Sequence, residues 1–312
     1  MSNWPPTFGI CGWSGSGKTT LIEALVREFR GRGLCIGVVK HQAHGLDVDR
    51  EGKDTDRFFR AGAAVAAHDA QQGFTRFPVS DDNLDDLVAR LGVGYDLVLV
   101  EGHKSADMPK IWLCRDDAPP PKDVTHIAAT LAWDEDRLAR ALPIVDDYLA
   151  EFHRRMDVCV AILLGVQQPR PGESRALDAF VDGLPDDVHE AVMVTSDAAP
   201  ELLKGLPVLP PASDVRWPLS GHLAAMRWRP ATRWLFAAHA ATAAQTQQLL
   251  SHAGPGRWAV LPRAETGGQR DWAFCVLDPP ALPLLEAAAR RGLRGLAGIL
   301  PAERVAWQEK QA

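Results

Sequence analysis

Tyrosine is nearly missing from this sequence, with two residues in 312, and cysteine is sparse. The five cysteines, Cys11, Cys35, Cys114, Cys159 and Cys275, are odd in number, far apart and never arranged as Cys-x-x-Cys. That excludes a disulfide scaffold and a structural zinc site. Three of them lie in short apolar runs, where a small buried side chain is expected. A basic excess is also missing. Lys+Arg number 34 against 40 Asp+Glu, a net charge of −6, so no positive field favours nucleic acid or an anionic membrane surface. No apolar run approaches the roughly 18 residues of a membrane span. The opening Met1–Pro6 lacks the basic segment of a secretion signal. Together these absences predict a cytoplasmic protein of a reducing compartment. What is present is ordinary for a folded chain, 46% hydrophobic and 24% charged residues. The length suits two domains of roughly 150 residues each.

The best seam lies at residues 153–158, which divides the chain into domains 1–156 and 157–312. A helical pattern through Ile144, Val145, Tyr148, Leu149 and Phe152 ends in His153-Arg154-Arg155, cations suited to the negative end of a helix dipole. A strand, Val158–Leu164, starts directly afterwards. Residues 1–156 carry 19 Lys+Arg and 24 Asp+Glu; residues 157–312 carry 15 and 16, with two lysines and six of the ten tryptophans. Both parts alternate continuous apolar strands with amphipathic helices, so both read as α/β with mostly parallel sheets. Strands are expected at 8–11, 35–39, 95–100, 111–114 and 126–129, then at 158–164, 190–194, 233–237, 258–262 and 272–277. Helices are expected near 18–30, 53–62, 82–91 and 136–153, and the segments 118–121 and 207–212 read as surface loops.

The strongest motif is Gly12-Trp13-Ser14-Gly15-Ser16-Gly17-Lys18-Thr19, followed by Thr20, between an expected strand and an expected helix. This is the GxxxxGK[ST] phosphate loop. Glycine lets the backbone bend so that successive N–H groups converge on phosphate oxygens, and the helix N-terminus adds its positive end. Lys18 is expected on the β- and γ-phosphates and Thr19 on Mg²⁺. The strand Leu97–Val100 ends in Glu101, and ligands bind outside the carboxyl ends of strands. Glu101 is therefore the candidate metal-side and catalytic acid, better placed than Asp96 at the strand's start. A third segment, Lys40-His41 with His44, Asp47 and Asp49, reads as a nucleotide-sensing loop, as a metal site built on His41, His44 and Asp47, or as a plain polar loop.

These pieces in order resemble the MobB family. They are the phosphate loop, Lys40-His41 with His44 and Asp47, Gly52-Lys53-Asp54-Thr55-Asp56-Arg57, Ala61-Gly62-Ala63, Glu101-Gly102-His103-Lys104, and Pro109-Lys110-Ile111. The resemblance spans residues 7–153. It implies a P-loop NTPase domain that binds GTP and Mg²⁺, through residues 12–20 with Lys40, His41 and Asp47 for the nucleotide and Thr19 and Glu101 for the metal. It implies an adapter of molybdopterin-guanine dinucleotide synthesis, a homodimer with at most weak GTPase activity. Its implied partners are the molybdenum cofactor guanylyltransferase, with molybdoenzyme apoproteins and molybdopterin as further candidates. One departure is His103, where the family often has phenylalanine. No Asn/Thr-Lys-x-Asp guanine-reading motif stands out, so guanine preference follows from the resemblance alone.

Residues 157–312 resemble a worn MobA-type guanylyltransferase, a nucleotidyltransferase-like Rossmann-type α/β domain. Ile162–Gly165, Ala191–Ser196, Val208-Leu209-Pro210, Trp217–Gly221 with Leu223–Met226, and Trp234–Ala238 carry the likeness. The departures are larger. The family's glycine-rich loop reads Gly165-Val166-Gln167-Gln168-Pro169-Arg170 here, and its lysine is lost. Val166 and Pro169 obstruct a close backbone approach to phosphate. No acid lies between Asp214 and Glu265, where the Mg²⁺ carboxylate belongs. This domain is therefore expected to be degenerate and inactive. The alternatives are an unrelated α/β domain, or an active transferase using Arg170, Arg175 or His239, which would make the chain bifunctional. For the whole chain, a metallochaperone-type GTPase and a small-molecule kinase are the other readings. The tryptophans Trp217, Trp228, Trp234, Trp258 and Trp272 read as core or as an apolar interface.

Overall fold

The computed structural model describes residues 4–40, 51–68, 71–76, 84–115, 119–165, 171–196, 205–216, 219–237, 242–262, 274–293 and 299–307. Among these residues the chain forms two large sheets and one hairpin.

The first sheet has five strands: β1 (Thr7–Gly12), β2 (Ile36–Lys40), β5 (Leu97–Glu101), β6 (Lys110–Leu113) and β7 (Ile127–Leu131). Their order is β2-β5-β1-β6-β7, and every pairing is parallel. Helices α1 (Lys18–Gly31) and α4 (Arg137–Arg154) pack against each other over this sheet. Their apolar stripes, Leu21, Ile22, Leu25 and Phe29 with Ala141, Val145 and Leu149, close a core with Phe8, Ile10, Leu97, Leu99, Ile111 and Leu113. Strands β1 and β5 are buried along nearly their whole length, which is why they read as unbroken apolar runs. Helix α2 (Asp54–Arg60) leads into an antiparallel hairpin of β3 (Val65–His68) and β4 (Gly73–Arg76), which the sequence did not announce. Asp56 ties the two together. It accepts from the Gly52 amide, Arg60 and Arg76, and the Gly52 N–H leads in holding its carboxyl below the usual range. Helix α3 (Leu84–Leu91) precedes β5.

The second sheet has seven strands, in the order β10-β9-β8-β11-β13-β12-β14. They are β8 (Val158–Gly165), β9 (Val188–Thr195), β10 (Val208–Leu209), β11 (Arg233–Ala237), β12 (Ala259–Leu261), β13 (Phe274–Leu277) and β14 (Val305–Trp307). Helices α5 (Pro171–Asp182), α6 (Leu219–Trp228), α7 (Ala243–Leu250) and α8 (Leu282–Arg290) accompany it. The expectation of parallel strands holds from β10 to β11, but β13 runs antiparallel to both neighbours. Strand β10 falls inside the segment expected to be loop, because its two residues extend the sheet beside β9.

Buried polar contacts join the two sheets' layers. Asp96, 2% exposed, accepts from the Cys35 amide at 2.7 Å, the Trp258 indole at 2.8 Å and Arg304 at 3.2 Å. Nearby, Arg233 forks onto Asp278 at 2.6 and 2.8 Å and lies 3.1 Å from His153 Nδ1 at the end of α4. Of the tryptophans read as core or interface, Trp234 is core, Trp258 joins the two layers and Trp228 is exposed; Trp217 and Trp272 lie outside the described residues. Cys11, Cys159 and Cys275 are buried, and all five cysteines are free thiols.

Candidate functional site

The phosphate loop leaves the carboxyl end of β1 and enters α1 through Gly17, which caps the helix in the left-handed region at φ 84°. Only glycine adopts that geometry without strain. Gly12 is forced by space as well: a Cβ there would stand 2.4 Å from Ser16 Oγ and 2.6 Å from the Leu113 carbonyl. No side chain caps α1 and no acid lies in its first turn. Its first N–H groups and the positive dipole end therefore face the loop uncompensated, which is the electrostatic setting for an anion.

Trp13, Ser14 and Gly15 are exposed on the loop, Ser16 is buried beneath it, and Thr20 is exposed on α1. Lys18 arches back over the loop and donates to the carbonyls of Gly12 at 3.2 Å and Trp13 at 2.8 Å. Burial pulls its pKa below the ordinary lysine value, and the Glu101 charge opposes that shift. Thr19 donates its hydroxyl to Glu101 at 3.1 Å. Lys40, at the end of β2 and in register with Glu101, lies 3.5 Å from the same carboxylate oxygen. The sequence-predicted Lys18, Thr19, Lys40 and Glu101 are thus brought together at the carboxyl edge of the sheet. His41, His44 and Asp47 lie outside the described residues. A hydroxyl and a carboxylate converging beside a phosphate loop form an oxygen donor set suited to Mg²⁺.

Other residues complete the surroundings. Lys104 rests its ammonium over the Trp13 ring at 4.3 Å. Fully buried Lys110 donates to the carbonyls of Ala106 at 2.7 Å and Thr125 at 2.8 Å, pinning the segment that follows Glu101. On the far side of the loop, Arg137 donates to Ser16 O at 2.6 Å, Ala132 O at 2.7 Å and Cys114 O. Sequence reasoning missed Arg137. One local signal was available: it is the first residue of α4, where a cation opposes the helix dipole, so its placement there serves something other than the helix. No helix among the described residues is long and apolar enough to cross a membrane.

Residues 7–133 match the sequence profile described as molybdopterin guanine dinucleotide synthesis protein B, MobB. The molybdopterin-guanine dinucleotide biosynthesis adapter protein of Haemophilus influenzae is 36% identical over 170 residues, covering 49% of this chain and 94% of that protein. The adapter protein of Escherichia coli is 38% identical over 118 residues, 36% of this chain and 67% of that one. Among solved structures, Bacillus subtilis MobB superposes on 46% of this chain and 97% of its own, at 25% identity and a TM-score of 0.36.

Proposed function

The chain belongs to the MobB family, and on that premise we propose that it is a GTP·Mg²⁺-binding adapter of molybdopterin-guanine dinucleotide synthesis that assists the guanylyltransferase. One observation carries the site: Lys18 lies on an uncapped helix N-terminus while Thr19 and Glu101 meet at 3.1 Å beside it. In this reading the N–H groups of residues 12–20 cradle the phosphates. Lys18 clamps their charge, and Thr19 and Glu101 hold the metal and its water. Lys40 balances Glu101. When bound, Mg²⁺ neutralises the β- and γ-phosphates and fixes their geometry. The task in this reading is binding, with at most weak GTPase activity, as the family membership implies.

Residues 157–312, in the same reading, form a second unit without transferase chemistry. The support is chemical and read from the sequence: Val166 and Pro169, outside the described residues, occupy the positions of the family's glycine-rich segment, and no acid lies between Asp214 and Glu265.

Calorimetric titration of the whole chain with GTP and Mg²⁺ tests both statements. The expected result is one equivalent bound, lost in Lys18→Ala with the melting temperature unchanged, because among the described residues the Lys18 ammonium donates to carbonyls of the loop itself. Binding by Lys18→Ala equal to that of the parent would overturn the site. A second equivalent that survives Lys18→Ala, together with GMP transfer to molybdopterin, would make the bifunctional transferase the better reading.

A further inference from the structure

The phosphate end of the site is fixed by its chemistry. Thr19, Glu101 and Lys40 gather on the β5–β2 side of β1, so the terminal phosphate and its metal belong there. A nucleotide lying along the loop then projects its base to the opposite side, over the carboxyl ends of β6 and β7. Trp133 stands on that side, just past β7. It is 58% exposed.

This ring is held in place. The Arg137 guanidinium stacks on it at 5.1 Å from the ring centre. The same guanidinium is anchored by the carbonyls of Ser16, Ala132 and Cys114, which belong to the phosphate loop and to the ends of β7 and β6. The ring also borders the loop: a Cβ on Gly17 would lie 3.1 Å from Arg137 Nη1 and 4.0 Å from Trp133 Cζ3. The other exposed indole of the loop, Trp13, is 46% exposed and carries the Lys104 ammonium over its face, so it serves the charged end. Trp133 thus combines an exposed aromatic surface, a guanidinium backing and direct attachment to the loop that grips phosphate.

We propose that Trp133 is the platform on which the purine base of the bound nucleotide stacks, with Arg137 as the positioning residue that locks this platform to the phosphate loop. The proposal rests on the nucleotide-binding reading above and adds where the base lies. An indole stacks on any purine, so the platform supplies affinity for the base and leaves guanine-over-adenine choice to other groups.

The test is titration of the full chain with GTP, GDP and inorganic triphosphate, each with Mg²⁺, comparing the parent with Trp133→Ala, Trp133→Phe and Lys18→Ala. Trp133→Ala is expected to weaken GTP and GDP by roughly 5- to 150-fold and to leave inorganic triphosphate unchanged. Trp133→Phe is expected to recover most of the loss. Parental affinity for GTP and GDP in Trp133→Ala, with binding lost in Lys18→Ala, would overturn the platform and leave the phosphate site standing. Equal loss of all three ligands in Trp133→Ala would also overturn it, because the ring would then support the loop and not the base. If Lys18→Ala binds GTP as the parent does, the underlying reading fails and this one with it.

Discussion

Asp96 and Glu101 stand at the two ends of β5, and their surroundings differ in every respect. Asp96 is buried at the strand's entry, where the Cys35 amide, the Trp258 indole and Arg304 all donate to it. Burial pushes its carboxyl up, and those three donors hold it back down. Glu101, its side chain 12% exposed, stands at the strand's exit, where the Thr19 hydroxyl donates to it and the Lys40 ammonium at the end of β2 lies 3.5 Å away. A buried carboxylate must be saturated by its own protein, because an unpaired charge in a low-dielectric interior is too costly. A carboxylate at an open sheet edge can keep capacity for a ligand. One strand thus joins the two layers at its entry and meets the proposed nucleotide site at its exit.

The sharpest way to break this comparison is to remove each acid in turn. Asp96→Ala is expected to destabilise the chain by about 3–5 kcal/mol in urea unfolding, because Arg304 and the Trp258 N–H lose their acceptor in a buried setting. That number measures stranded groups, not the net value of the pair. The double variant Asp96→Ala with Arg304→Leu should therefore lose less than Asp96→Ala alone. A loss of under 1 kcal/mol for the single variant would mean the network is not what joins the layers.

The second contact between the layers responds to pH. His153, buried beside Arg233 and Asp278, has its pKa pushed down to about 4, by burial first and by Arg233 as well, with Asp278 opposing. Unfolded, it takes up its proton near 6.5. Between these values the unfolded chain binds more protons than the folded one, so stability is complete above about 6.5 and falls as pH drops towards 4. The expected loss from this group is roughly 3 kcal/mol. Unfolding free energies at pH 7 and pH 4.5, for the parent and His153→Gln, isolate it: the difference between the two proteins should shrink or invert at the lower pH. Parallel curves would show that His153 takes no part.

At the exit of β5 the pattern should reverse. Glu101→Gln is expected to cost about 1 kcal/mol, well below Asp96→Ala, because the 12% exposed side chain keeps an amide oxygen for the Thr19 hydroxyl and loses only its pairing with the half-exposed Lys40. It should weaken Mg²⁺-dependent GTP binding by roughly 10- to 150-fold, the range for losing a charged partner. Titrations with and without Mg²⁺ read this directly. An equal loss without the metal would move Glu101 from the metal to the fold.

The same division explains what could be read from the sequence. The phosphate loop was legible because its backbone bends at Gly15 and Gly17 through φ values that favour glycine, which leaves a spaced signature. Strands β1 and β5 were legible because burial on both faces makes them continuously apolar. Glu101 followed from its place at a strand's end. The Asp96 network was not legible, since its three donors come from 61, 162 and 208 residues away in the chain. The β3–β4 hairpin and β14 are too short, and β3 too rich in alanine, to show a strand period. Trp133 and Arg137 reach the loop only because β7 and α4 fold back beside it.

The smallest expected effect is a control on burial itself. Arg32, at the end of α1, donates through Nη1 to both oxygens of Asp146 of α4 at 3.0 and 2.9 Å, shorter than the 3.2 Å Arg304 contact with Asp96. The two side chains are 39% and 42% exposed, against 8% and 2% for Arg304 and Asp96. Water screens the exposed pair and resolvates either partner once the other is gone, so Asp146→Asn should cost below about 1 kcal/mol and less still in high salt. Urea unfolding at low and high ionic strength measures this. If Asp146→Asn cost as much as Asp96→Ala, the number of hydrogen bonds would govern these carboxylates, and the contrast between the two ends of β5 would lose its cause.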